Sequence, residues 1–206
     1  MRVTLNVLQI SVEVRVTLAS LPARRQVYPA HPQRGWECEG STWAAYGAIV
    51  APPGVQTNLL EGSVVELLTG AVLMLLRSNT GCLFESISMD KGKTWSMAAP
   101  SRLPNPNSKV HIMRIEPSGH LLLAFNNHKH TGARRGAECK SCRSDLELAV
   151  SEDDGHTWQR LGVLDNEAAP GIRLHYPTMV QAKDKLVIVY SRFYLYKDPG
   201  LYSEAQ

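Results

Sequence analysis

No stretch of this 206-residue sequence approaches the roughly 18–20 apolar residues that a membrane-spanning helix needs. The longest clean runs, Ala71 to Leu76 and Leu121 to Phe125, have the length of strands. Like-charged runs and Lys/Arg stripes are missing too, and a net charge of +3 gives no footprint for nucleic acid. Cysteine is scarce. Cys38, Cys82, Cys139 and Cys142 are too few and too scattered for a disulfide framework. Helical periodicity is absent over any useful length, which leaves an all-β chain.

The N-terminal segment, residues 1–42, is set apart from a domain at 43–206. Met1 to Leu21 is apolar-rich, but Glu13 and Arg15 interrupt it where a signal peptide needs a continuous core. Residues 1–36 carry several Arg against a single acid, Glu13, a bias shared with organelle transit peptides. A strand pair followed by a loop from Leu21 to Gly35 accounts for the same residues, so composition leaves the compartment open.

What is present in strength is repetition. Ser88-Met89-Asp90-Lys91-Gly92-Lys93-Thr94-Trp95 recurs 63 positions later as Ser151-Glu152-Asp153-Asp154-Gly155-His156-Thr157-Trp158. Both read S-x-D-x-G-x-T-W. Ser and Asp side chains can bond the turn's own backbone, and Gly supplies positive φ at no steric cost. Thr leads back into a strand, and Trp drives a large ring into the adjoining core. The motif is a β-turn that staples itself, and Ser88, Asp90, Gly92, Trp95, Ser151, Asp153, Gly155 and Trp158 are structural residues. It is not a catalytic site.

A second repeat surrounds the first. Aligning Gly70, Gly119 and Lys185 brings Arg77, Asn126 and Arg192 into register, each seven positions on, at the end of an apolar run. The unit is strand, tight turn, buried strand, loop, strand, Asp-box turn, strand. Strands are expected at 62–67, 71–77, 82–88 and 94–97, then 110–116, 120–126, 144–151 and 157–164, then 176–182 and 186–193. Four-stranded sheets packed side by side make a β-propeller.

At these residues the chain resembles the sialidase superfamily, in particular its BNR-repeat, sialidase-like domain proteins. The resemblance rests on Glu61 to Leu67, Leu76-Arg77-Ser78, Leu103 to Ser108, Leu121 to Asn126, both Asp boxes and Tyr176-Pro177, and it runs from about Trp43 to Arg192. It implies a six-bladed propeller with a sugar pocket at one end of its axis. In enzymes of that superfamily three arginines grip a carboxylate, a Tyr–Glu pair supplies the nucleophile and an Asp acts as acid/base. Six blades need roughly 350 residues, so about three are expected here. Open blade edges would then make self-association an expected liability.

In a four-stranded blade the turns after strands 1 and 3 share one face of the disc. The Asp boxes therefore mark the back, and the opposite rim collects Glu61, Arg77, Asn105, Asn107, Asn126, Arg143, His175, Tyr176 and Arg192. Arg77, Arg143 and Arg192 suit the carboxylate of an acidic sugar, although an Arg at a strand end also reaches solvent along its stem. Asn105, Asn107 and Asn126 are candidates for sugar hydroxyls. The first two flank Pro106, where capping a turn is the alternative. Glu61 and Tyr176 are the candidates for chemistry, against a solvated strand-edge acid and a core tyrosine.

The second blade carries a longer loop: Arg77 to Ser88 spans 11 positions, Asn126 to Ser151 spans 25. It holds His128, His130, Cys139 and Cys142, a ligand set sufficient for a structural zinc; a local disulfide or a plain insertion uses the same residues. No other cofactor is implied. Two functions remain open: part of a glycosidase acting on an acidic sugar or glycan, and a non-catalytic carbohydrate- or protein-binding propeller. A fragment with no activity of its own is a third.

Overall fold

The computed structural model describes residues 37–39, 42–44, 47–128, 143–166 and 172–194. These residues contain no helix. The alternation of turn residues with apolar runs becomes two four-stranded antiparallel sheets and a strand pair. The first sheet orders β3 (Leu60–Glu66), β4 (Val72–Arg77), β5 (Cys82–Ser88) and β6 (Ala99–Pro104). The second orders β7 (His111–Arg114), β8 (Leu121–Asn126), β9 (Asp145–Ser151) and β10 (Gln159–Asn166). Strands β11 (Ile172–Ala182) and β12 (Lys185–Tyr194) begin a third. A short hairpin of β1 (Glu37–Glu39) and β2 (Thr42–Ala44) lies across the expected 42/43 division.

The sheets pack face to face. Val65, Leu73, Leu75 and Leu83 of the first meet Val110, Ile112, Leu121, Leu123, Phe125 and Ala149 of the second. The opposite face of the second sheet, with Leu122, Ala124 and Leu148, meets Met179, Leu186 and Ile188 of the third. Strands β8 and β9 are covered on both faces, and every residue in them is buried. First strands also contact first strands, β3 with β7 and β7 with β11. These are the relations of propeller blades about a common hub.

Two expectations need correction. The fourth strand of the first blade is not 94–97 but Ala99–Pro104. After Trp95, one backbone bond remains, from the Ser96 amide to the Ile87 carbonyl. The Ser86 hydroxyl donates to the Ser96 carbonyl and the Ser96 hydroxyl accepts the Ile87 amide, so side chains interrupt the regular ladder there. The Ala98 amide then bonds Val50, outside the sheet.

The second correction concerns register. Ser63 pairs with Leu75 and Thr178 with Val189, each directly after a bulge in the first strand of its blade. Two steps further on, the counterpart of Arg77 is Ser191, not Arg192. Five residues separate the paired ends Glu66 and Val72, whereas only Lys183 and Asp184 separate Ala182 from Lys185. The shorter turn slips the alignment by one, and a one-residue slip changes the face.

Candidate functional site

Both Asp boxes close as local networks with matching distances. In the first, the Ser88 hydroxyl donates to Asp90 Oδ1 at 2.8 Å and accepts the Gly92 amide at 2.8 Å. Asp90 also accepts the Thr94 amide at 2.7 Å and the Thr94 hydroxyl at 2.6 Å. Ser151, Asp153, Gly155 and Thr157 repeat each bond at the same length. Gly92 and Gly155 take φ of 87° and 98°, which a side chain would oppose. Trp95 donates to the Gly92 carbonyl, while Trp158 packs against the core between the first two blades. Bonds from Thr94 and Thr157 first, with the neighbouring serines, hold both carboxyls down to about 2.

At the opposite ends of the strands, six residues from three blades converge. Glu61 lies in the bulge of β3, Arg77 ends β4, Asn107 precedes β7, Arg143 precedes β9, and His175 and Tyr176 lie at the bulge of β11. Arg77 Nε donates to Asn107 Oδ1 at 2.7 Å. Arg77 Nη1 donates to Glu61 Oε2 at 2.8 Å and to the Tyr176 hydroxyl at 3.4 Å. Arg143 Nη2 donates to the Asn107 main-chain carbonyl, and its Nη1 lies 2.7 Å from His175 Nδ1. The Arg143 guanidinium is also 5.8 Å from the centre of the Tyr176 ring, which stacks on His175 at 4.0 Å.

Of the six non-glycine residues with left-handed φ among the described residues, three fall at the same place, while Lys91, Asp154 and Lys183 lie in turns elsewhere. Glu61, Asn107 and Tyr176 have φ of 47°, 55° and 58°, a left-handed conformation that costs a side-chain-bearing residue roughly 1–2 kcal/mol. Each of the three blades contributes one such residue near the start of its first strand. Strain of this kind persists only where surrounding bonds over-determine it, and it gathers at functional sites.

Electrostatics follow from the contacts. Arg is only a donor, so His175 Nδ1 must accept, and the ring's proton sits on Nε2. Burial, then Arg143 and Arg77, push His175 down to about 4, so it is neutral near pH 7. Burial pulls Arg77 down, but its bonds to Glu61 and Tyr176 outweigh that and hold it above the usual value. Burial and the neighbouring Arg77 lower Arg143. Two guanidinium charges and one carboxylate leave the cluster at net +1, an arrangement suited to an anion.

The other candidates lie elsewhere. Asn105 is fully buried and exchanges two bonds with the Ser108 backbone, so it caps its own turn. Asn126 is fully buried and donates to the carbonyls of Asp145 and Leu174. Neither offers its amide nitrogen to a ligand. Arg192 stands exposed across from Leu174, one position out of register with Arg77. Of the zinc candidates only His128 is among the described residues; His130, Cys139 and Cys142 lie outside them. The sequence put His175 on the rim without a role; an Arg-bound imidazole has no local signature.

The architecture and the Asp boxes define a β-propeller of the BNR-repeat kind. A BNR repeat-like domain matches residues 22–189, and the chain belongs to that family. Among curated proteins, none matches the sequence. The chain superposes on a K499G mutant of the NanB sialidase from Streptococcus pneumoniae with a TM-score of 0.55 at 20% identity, over 75% of this chain and 23% of that one. An α-L-arabinofuranosidase of Fusarium graminearum in complex with an iminosugar inhibitor gives 0.50 at 20% identity, over 70% and 44%. A protein of unknown function from Dyadobacter fermentans gives 0.53 at 18% identity, over 76% and 39%. The chain thus spans about a quarter of the sialidase and under half of the other two. At these identities the likeness is one of fold.

Proposed function

We propose that this chain supplies the carboxylate-binding part of a glycosidase-type propeller and that its ligand is an acidic sugar. The observation that carries the reading is the pair Arg77 and Arg143, drawn from two blades and both bonded to Asn107. Planar guanidiniums recognise carboxylates in a way that a single lysine cannot, and the net positive charge adds an attraction for an anion that a neutral sugar does not receive. Tyr176 offers a ring for the sugar's apolar face and a hydroxyl that shares Arg77 Nη1 with Glu61. These two groups are our candidates for chemistry.

A binding-only reading has one observation in its favour. Among the described residues the cluster holds a single carboxylate, Glu61, whereas glycoside cleavage ordinarily takes two groups. Tyr176 would have to serve as the second, with an acid from elsewhere.

Calorimetric titration of the full chain with N-acetylneuraminic acid and with galactose tests the ligand class. The acidic sugar should bind more tightly, and Arg143→Ala should weaken it at least about tenfold, the loss of one charge-assisted contact. Equal binding of the neutral sugar, or an unaffected Arg143→Ala, would remove the carboxylate from the account. Release of product from a chromogenic sialoside, lost in Tyr176→Phe, would separate cleavage from binding.

A further inference from the structure

Asn107 is a candidate for sugar hydroxyls, yet both its oxygens are taken by the arginines. Its side-chain oxygen takes Arg77 Nε, and its main-chain oxygen takes Arg143 Nη2. One residue therefore joins a guanidinium of the first blade to one of the second. Its own place is firmly set. Pro104 and Pro106 fix φ on the approach, and Asn105 bonds both the amide and the carbonyl of Ser108, closing the turn around Asn107. Asn105 is fully buried, so this clamp is shielded from water. The closed turn holds Asn107 left-handed, a conformation that Asn tolerates better than most residues.

We propose that Asn107 is a positioning residue: by holding Arg77 through its side chain and Arg143 through its backbone, it sets the two guanidiniums at the spacing that receives one anionic group. Glu61 and Tyr176 constrain Arg77 from the other side, and His175 constrains Arg143, so each guanidinium is braced on two sides. Pre-set donors spare the ligand the entropy of ordering two long side chains. The buried Asn105 turn is the foundation, Asn107 the link, and the arginines the working surface.

Asn107→Gly is the informative variant. Glycine takes the left-handed backbone without strain and keeps the carbonyl for Arg143, so only the Arg77 acceptor is lost. Asn107→Asp keeps that acceptor. Nitrogen-15 spectra of the full chain would follow solvent exchange of the Arg77 Nε proton, a readout that needs no ligand. Exchange should be slow in the parent and in Asn107→Asp, and about tenfold or more faster in Asn107→Gly, as for loss of one hydrogen bond. Equal exchange in the parent and Asn107→Gly overturns the proposal.

A second arm rests on the acidic-sugar reading. Asn107→Gly should weaken N-acetylneuraminic acid binding in the parent, and should have no further effect once Arg77→Ala is present. Additive effects would mean that Asn107 touches the ligand itself, which also overturns the proposal. If the parent binds no N-acetylneuraminic acid, the ligand reading fails, and proton exchange alone decides the role of Asn107.

Discussion

Asp154, one residue past the anchoring Asp of the second Asp box, reaches across to Arg114 of β7 and ties two blades together. Its Oδ1 meets Arg114 Nη2 at 2.6 Å, while its Oδ2 accepts the Leu68 amide, in the hairpin turn of the first blade, at 2.7 Å. Arg114 completes the join by donating to the carbonyls of Glu66 and Gly119. Turns after the first and third strands therefore do share one face of the disc. Lys91 stands at the matching position of the first Asp box.

Asp154→Asn should test the strength of that join, because Asn keeps the shape and tolerates the left-handed backbone that Asp154 adopts at φ 59°. Both partners are mostly but not fully shielded, with side chains 16% and 19% exposed. The expected loss is about 2 kcal/mol, below that for a fully buried pair. Lys91→Ala should stay within about 0.5 kcal/mol of the parent. Denaturant unfolding measures both, and equal effects would show that Asp154 has no special role.

Glu61→Gly should separate stability from binding. The substitution relieves a left-handed residue but strips Arg77 of its carboxylate partner. Stability is expected to change by less than about 1 kcal/mol, the strain relief offsetting the lost pair. The net charge of the cluster rises, so N-acetylneuraminic acid should bind at least as tightly while any cleavage disappears. Retained cleavage would take Glu61 out of the chemistry.

Acid should loosen the blades in two stages. His175 is pushed down to about 4 in the folded protein by burial, Arg143, Arg77 and Arg173, with Glu61 opposing. His111, lowered by burial and Lys109, accepts the Met179 amide through Nδ1 and so joins the second and third blades. A histidine depressed on folding favours the fold when neutral. Its contribution is complete above the unfolded value near 6.5 and is lost as pH falls towards the folded value. Denaturant midpoints should thus decline from pH 6.5 to about 4, and His175→Gln should flatten part of that slope. An unchanged slope would count against the assignment.

The second stage belongs to the Asp boxes. Asp90 and Asp153 are depressed from 3.8 to about 2 by their Thr, Ser and backbone donors. Their contribution stands above pH 3.8 and is lost between there and about 2. Carboxyl carbon shifts in a pH titration should show two midpoints near 2. Ordinary midpoints near 3.8 would mean that the turns open in solution before acid reaches them.

The parts of this fold that the sequence reveals are those made by neighbours in the chain. The Asp-box bonds join residues two to four apart, so Ser88 and Ser151 announce their turns without any tertiary information. The Arg77 strand end was legible because its apolar run is continuous. The alignment of Arg192 with Arg77 slips by one for a tertiary reason: turn length, not strand composition, decides the register of a strand. Asn105 and Asn126 misled because a buried amide that caps backbone looks, in sequence, like one that binds sugar. Asp154 and His175 went without a role because their partners lie 40 and 32 residues away.

The contrast between Asp154 and Lys91 has a wider consequence. The Ser, Asp, Gly and Thr bonds of the S-x-D-x-G-x-T-W turn close within the turn, so the residue after the Asp is left to meet whatever lies outside. It works as an address slot. An acid there clamps onto the preceding blade, whereas the first box carries Lys91 at that position. A repeated module can in this way carry individual instructions about its neighbours while its own shape stays constant.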